Sequence, residues 1–172
     1  MLKHISLFCV IAIMIAIFLL SAQPAKESSD LSGKIVTVVL KIIIPNYDEL
    51  PLMEQESIKE KVSFFVRKLA HFTEFAALGF FLIMYLLTFQ PYIKTFNLKL
   101  LIRVFLGWII GTFYAVTDEI HQMFVTDRYS SIYDVVIDSS GVLFGIILLI
   151  FLFSFVFRNS QISIKYKQNI KS

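Results

Sequence analysis

Ionisable side chains fall into three short groups whose spacing matches one face of an α-helix. Arg67, His71 and Glu74 are separated by four and then three residues. Residues three or four positions apart share a helix face, so this group forms a polar stripe of about two turns. Two further groups have the same spacing: Asp118 with His121 and Gln122, and Asp134 with Asp138 and Gly141.

If the three stripes face one another, they form a single site with two histidines, several carboxylates and the guanidinium of Arg67 or Arg128. Imidazoles and carboxylates from separate helices suit a divalent metal, although no HExxH motif specifies one. A carboxylate that orients an imidazole suits acid–base catalysis. Arginine and lysine suit a charged headgroup that is bound without reaction. A structural network of ion pairs between helices is the fourth interpretation.

The elements that position these stripes are predicted to be membrane-spanning helices. Hydrophobic residues make up 57% of the 172-residue chain and charged residues 17%. A soluble domain is nearer half apolar and a quarter charged, and a chain this short has too little interior to bury the excess. The basic residues form no patch, so nucleic acid is not an expected partner.

Four apolar runs are long enough to span a bilayer, at about residues 5–21, 64–89, 98–117 and 132–157. Residues 24–63 form the only sizeable polar stretch, and apolar residues recur there at helical spacing from Leu31 to Ile42. This pattern predicts a short amphipathic helix, which either lies on the membrane surface or packs on the bundle. The predicted fold is an all-α, four-helix transmembrane bundle in one domain covering residues 1–172.

The distribution of charge predicts the orientation of the bundle. One set of membrane-flanking segments, residues 1–4, 89–103 and 158–172, holds no Asp or Glu. Its basic residues are Lys3, Lys94, Lys99, Arg103, Arg158, Lys165, Lys167 and Lys171. Lys and Arg in short loops favour the cytoplasmic side, so both termini are predicted inside and the three polar stripes outside.

The motifs in these stripes resemble the VanZ family of bacterial membrane proteins. The resemblance rests on Ser21-Ala22-Gln23-Pro24 and on the run from Arg67 to Phe75 with His71 and Glu74. It also rests on Asp118-Glu119-Ile120-His121-Gln122 with Arg128, and on Ser131, Asp134, Asp138, Gly141 and Gly145. The sequence departs from the family at Phe75, where tyrosine is common, and at Thr126-Asp127, where Pro-Gly is frequent.

The resemblance implies a protein of the bacterial cell envelope, because the namesake of the family is associated with reduced sensitivity to teicoplanin, a lipid-bearing glycopeptide. We therefore predict a site that engages membrane lipid or a lipid-linked or amphiphilic small molecule. His71, Glu74, Asp118 and His121 are the candidate reactive or metal-facing residues. The candidate ligand-binding residues are Gln23, Arg67, Lys68, Glu119, Gln122, Arg128, Asp134 and Asp138.

Three alternatives stay open at the level of sequence. The first is a membrane-embedded hydrolase or transferase acting on lipid or cell-wall precursors, with a divalent metal as a candidate cofactor. The second is a transporter, which is disfavoured because the inner halves of the spans lack polar residues. The third is a structural or partner-binding protein. The oligomeric state is not predicted.

Overall fold

The computed structural model describes residues 1–89, 98–126, 128 and 130–169, and it describes side chains outside 25–32 and 156–169. Lys94, Asp127 and Lys171, which were used above, lie outside this range. The described part contains five α-helices and no strand, which confirms the all-α prediction. The helices are α1 (Leu2–Ser21), α2 (Ala25–Ile43), α3 (Leu52–Leu87), α4 (Leu98–Gln122) and α5 (Ile132–Asn169).

Four of these helices are long and apolar enough to cross a membrane: α1, α3, α4 and the Ile132–Phe155 part of α5. Their outward surfaces carry large apolar side chains such as Phe8, Phe105 and Phe151, which are 71%, 56% and 64% exposed. Exposed apolar surface of this extent is typical of a helix bundle that lies in a membrane. The prediction of a four-helix transmembrane bundle is confirmed.

Helix α3 extends well beyond the predicted span. It begins at Leu52 rather than at residue 64 and contains 36 residues without a break. At a rise of about 1.5 Å per residue it is roughly 54 Å long, whereas the hydrocarbon core is about 30 Å thick. Its first turns carry exposed charged residues, which hydropathy alone does not register as helix. Helix α4 likewise continues past residue 117 to Gln122, and α5 continues past residue 157.

The amphipathic helix α2 packs against the N-terminal part of α3. Val36 and Leu40 are buried there together with Tyr47, and Ile58 and Val62 of α3 pack on them. The chain turns back between the two helices through a short 3-10 helix, Tyr47–Glu49. Other apolar residues of α2 remain exposed, among them Ile35, Val38 and Ile42 at 66%, 60% and 79%, so the placement of this helix on the membrane surface stays a prediction. We call α2 and the N-terminal part of α3 the hairpin.

Helices α3 and α5 approach each other closely at glycines. A Cβ atom on Gly145 would lie 1.8 Å from the carbonyl oxygen of Ala76, and one on Gly79 would lie 2.1 Å from that of Val142. A Cβ on Gly141 would lie 2.5 Å from the carbonyl oxygen of Phe72. Only glycine permits contact between the two backbones at these positions, as the spacing of Gly141 and Gly145 predicts.

Candidate functional site

A buried hydrogen-bond network joins α1 to α4 at the polar end of the bundle. The Ser21 hydroxyl donates to Asp118 Oδ2 at 2.8 Å, and the Gln122 amide donates to the same oxygen at 2.8 Å. Asp118 is 3% exposed, and its other oxygen, Oδ1, has no hydrogen-bond partner among the described residues. The carboxylate is thus held in one orientation, with one oxygen left available.

The stripe on α3 brings a histidine and a carboxylate together without a hydrogen bond between them. His71 Nδ1 lies 3.9 Å from Glu74 Oε2, which exceeds hydrogen-bond distance. Both atoms are buried, and neither has a hydrogen-bond partner within the described part of the chain. A buried polar atom without a partner costs free energy, so such a pair is typical of a site that a further molecule completes.

The stripe on α5 contributes one paired and one unpaired carboxylate. Lys68 on α3 forms an ion pair with Asp134. One turn further along, Asp138 is only 1% exposed, and its Oδ1 has no hydrogen-bond partner in the described residues. Burial of an unpaired carboxylate inside a membrane protein is expensive and marks a functional group more often than a structural one.

Asp118 is the electrostatic centre where the three stripes meet. Its carboxylate interacts with His71 and Glu74 on α3 and with Asp138 on α5. It also interacts with Arg128, in the segment between α4 and α5. The stripes of α3, α4 and α5 are therefore close enough for their charged groups to interact.

The guanidinium of Arg128 is held by the end of α1. Its Nε donates to the carbonyl oxygen of Gln23 at 2.9 Å, and Nη2 lies 3.4 Å from the carbonyl oxygen of Leu20. Burial lowers the pKa of Arg128 from its ordinary value, and the nearby charge of Arg67 acts in the same direction, while Asp118 opposes them. An arginine remains protonated in proteins. The two positive guanidinium groups of Arg67 and Arg128 therefore repel each other electrostatically.

Arg67 differs from Arg128 because it has no hydrogen bond or ion pair among the described residues. It is half-buried, and together with Glu60, Lys61 and Phe64 it lines an open depression of about 310 Å³. Glu60, Phe64 and Arg67 are four and then three residues apart, and His71 follows after four more. The depression and the buried site thus share one face of α3, with Arg67 between them.

Several predicted site residues make contacts that fix the helices. Glu119 Oε2 accepts a hydrogen bond from the backbone N–H of Ser131 at 2.9 Å, just before α5 begins. Gln23 accepts the hydrogen bond from Arg128 through its backbone carbonyl oxygen and not through its side chain. His121 stacks on Phe18 of α1, with ring centroids 4.3 Å apart, and its Nδ1 is buried without a hydrogen-bond partner in the described range. No group of three His, Cys, Asp or Glu side chains among the described residues could hold a metal ion.

The structure adds polar residues that the predicted set omitted. Ser21 binds Asp118 directly, and its place at the polar end of the first span was the available signal. Near Asp138, the Trp108 indole N–H lies 3.3 Å from the carbonyl oxygen of Ser139, and the hydroxyls of Thr112 and Ser139 lie 2.7 Å apart. Isolated hydroxyls inside an apolar run give no sign of which helix they contact.

The fold and the buried polar network define a multi-pass α-helical membrane protein with a site built from four helices. A model of the VanZ/LLP1 family matches residues 6–164, which is nearly the whole chain. The chain belongs to this family, as the motifs around His71, Asp118 and Asp138 indicate. Comparison with curated proteins gives no match, and comparison with solved structures gives none either.

Proposed function

We propose that this VanZ-family membrane protein binds the anionic headgroup of a lipid or lipid-linked amphiphile at the polar end of its bundle. The observation that carries the proposal is the unpaired, half-buried guanidinium of Arg67, which lines the open depression and is repelled by the charge of Arg128. Like charges repel, and an anion between them removes the repulsion. Guanidinium groups also match the geometry of phosphate oxygens.

The depression beside Arg67 supports the same proposal. Phe64 is 55% exposed and lies one turn from Arg67, so an apolar and a cationic group stand side by side. An amphiphile whose acyl chains remain in the bilayer would place its headgroup beside Phe64 and Arg67, at the polar end of the bundle. In this role Arg67 and Arg128 bind the anion, while Gln122 and Ser21 orient Asp118 behind it.

The test measures binding of short-chain lipids to the purified full-length protein in detergent. Dihexanoyl phosphatidic acid is the probe, dihexanoylglycerol is the phosphate-free comparison, and the fluorescence of Trp108, the single tryptophan, is the readout. We expect the phosphate lipid to bind and Arg67→Gln to weaken binding about tenfold or more, since a charge-assisted hydrogen bond contributes roughly 1.5–3 kcal/mol.

The matched control is Arg103→Gln, which removes a half-buried arginine in α4 outside the proposed site. It should leave the affinity unchanged. Equal affinity of the Arg67→Gln and Arg103→Gln variants would refute the proposal, as would equal binding of the phosphate-free lipid.

Binding of lipid-linked molecules by this protein would also affect how a cell responds to glycopeptide antibiotics. An envelope protein that engages lipid-linked molecules could lower sensitivity to teicoplanin-type compounds, whose acyl chain holds them at the membrane. Expression in a sensitive bacterium should then raise the inhibitory concentration of an acylated glycopeptide and not that of a non-acylated one. The Arg67→Gln variant, expressed at the same level, should lose this effect.

A second candidate is a membrane-embedded hydrolase or transferase, favoured by the buried pair His71 Nδ1 and Glu74 Oε2. In such an enzyme His71 accepts the proton of an attacking hydroxyl or water, and Glu74 orients the imidazole. Loss of turnover in both His71→Ala and Asp118→Ala, with folding and lipid binding retained, supports this reaction. Full function in those variants would exclude it.

A further inference from the structure

The buried part of the site contains more carboxyl groups than Lys and Arg side chains. Five carboxylates interact within it, and the cations number three. The carboxylates are Glu74, Asp118, Glu119, Asp134 and Asp138, and the cations are Arg67, Lys68 and Arg128. A buried carboxyl group without a cationic partner is stabilised by taking up a proton or by accepting a hydrogen bond from a donor.

Three carboxylate oxygens in this region are buried and have no hydrogen-bond donor among the described residues. They are Glu74 Oε2, Asp118 Oδ1 and Asp138 Oδ1. Asp118 and Asp138 are 3% and 1% exposed, so bulk water does not reach them freely. Each of the three acceptors needs an N–H or O–H group to offset its loss of hydration.

The cations of the protein are already engaged elsewhere or lie further out. Lys68 is paired with Asp134, and Arg128 is bonded to the carbonyl oxygens of Gln23 and Leu20. Arg67 lines the outer depression. None of these three basic side chains donates a hydrogen bond to Glu74, Asp118 or Asp138, so a ligand that reaches the three unpaired oxygens can supply the donors.

We infer that the ligand carries a primary ammonium group next to its phosphate, so that the phosphate binds Arg67 and the ammonium enters between the buried carboxylates. This inference rests on the proposed function. A primary ammonium has three N–H donors and no acceptor, like the end of a lysine side chain, and it carries a positive charge that carboxyl groups attract. The ligand class is a phosphoethanolamine-type headgroup.

Two related headgroups separate the contributions of charge and hydrogen bonding. A phosphocholine headgroup has the same net charge but no N–H donor, because its nitrogen carries three methyl groups. A phosphoglycerol headgroup has hydroxyl donors but no positive charge. Of these headgroups, only phosphoethanolamine supplies both N–H donors and a positive charge to the carboxyl groups of Asp118 and Asp138.

The experiment titrates full-length protein in detergent with four dihexanoyl lipids that differ only in headgroup: phosphoethanolamine, phosphocholine, phosphoglycerol and phosphate. Trp108 reports binding, because its indole is hydrogen-bonded to Ser139, the residue after Asp138. We expect the phosphoethanolamine lipid to bind at least about tenfold more tightly than each of the others. Asp138→Asn should abolish this preference and retain binding of the phosphate lipid.

Glu74→Gln is the second variant, and it should reduce the preference in the same way if Asp138→Asn does not fold. Glu56→Gln, at an exposed carboxylate of the hairpin, is the control and should leave the preference intact. Equal affinity for all four lipids, with Arg67→Gln still weakening them, overturns this inference and leaves the proposed function standing. Absence of binding by every phosphate lipid overturns both.

Discussion

Ser21 donates a 2.8 Å hydrogen bond to Asp118, a residue 97 positions later in the chain. The bond is buried, and it ties the last turn of α1 to the last turns of α4. Gln122 approaches the same carboxylate oxygen from within α4. One oxygen of Asp118, Oδ2, thus holds α1 and α4 together. The other, Oδ1, has no hydrogen-bond partner among the described residues and is available to a ligand.

Ser21→Ala should lower the free energy of unfolding by about 1–2 kcal/mol, because the buried oxygen Asp118 Oδ2 loses one of its two donors. Denaturant-induced unfolding in detergent, followed by Trp108 fluorescence, measures the change. The control is Ser154→Ala, since the exposed Ser154 hydroxyl bonds only to Ile150 of its own helix. A Ser21→Ala variant as stable as this control would show that the hydrogen bond contributes nothing.

The crossing of α3 and α5 should be intolerant of even one methyl group. Gly145→Ala places a Cβ against the backbone of Ala76, which cannot move aside, so we expect a loss of about 1–3 kcal/mol or more. Gly107→Ala is the matched change, because its Cβ would meet only the side-chain tips of Leu86 and Ile146, at 3.4 and 3.5 Å. Thermal unfolding of the two variants should differ clearly, and equal melting temperatures would contradict the close approach.

The sequence predicts the number and order of the spans because a bilayer demands long apolar runs. For the same reason, the sequence underestimates the length of α3. The helix continues from Leu52 through exposed residues such as Glu56 and Glu60, which water solvates as well in a helix as in a loop. Hydropathy detects only the apolar run inside the membrane. It does not detect the polar part of α3 beyond it, which is stabilised by packing against Val36 and Leu40 of α2.

The backbone before α5 should depend on the carboxylate of Glu119. Its Oε2 accepts a hydrogen bond from the backbone N–H of Ser131. This N–H has no partner within α5, because the first N–H groups of a helix have none. Glu119→Ala removes this cap and should cost about 1 kcal/mol, while Glu119→Gln keeps an acceptor oxygen and should cost less. Hydrogen exchange of the amides around Ile132 measures the effect. Exchange that is unchanged in Glu119→Ala would rule out the capping role.

The ion pair between Lys68 and Asp134 should behave as a coupled unit. Either Lys68→Met or Asp134→Asn leaves a partly buried charge without its partner, and each should destabilise the protein by roughly 1–3 kcal/mol. The double variant should be more stable than the sum of the two changes predicts, because both charges are gone. Additive effects in this double-mutant cycle would mean that the two groups do not interact.

The predicted orientation can be tested by cysteine labelling in intact cells. Cys9 is first replaced by serine, because it is the single native thiol. Glu56→Cys, on the hairpin, should then react with a membrane-impermeant maleimide from outside. Lys99→Cys, exposed at the start of α4, should react only after lysis. The reverse pattern would place the polar site on the cytoplasmic side.

The candidate site could be predicted from the sequence only as a set of stripes. Helical spacing indicates that Arg67, His71 and Glu74 share a face, but not which atoms on neighbouring helices they meet. His121 has the right spacing from Asp118, yet its ring stacks on Phe18 because the packing of α1 decides its environment. The pairing of Lys68 with Asp134 and the isolation of Asp138 likewise depend on the separation of α3 and α5.

Because α3 is one unbroken helix, a tilt about the contact between Gly79 and Val142 would move all of its N-terminal part together. At about 1.5 Å per residue, Leu52 lies roughly 40 Å from that contact and Arg67 roughly 18 Å. A tilt of about 3° would carry the tip of the hairpin by roughly 2 Å and Arg67 by roughly 1 Å. A displacement of the hairpin by such a tilt would therefore move Arg67 in the same direction by about half as much.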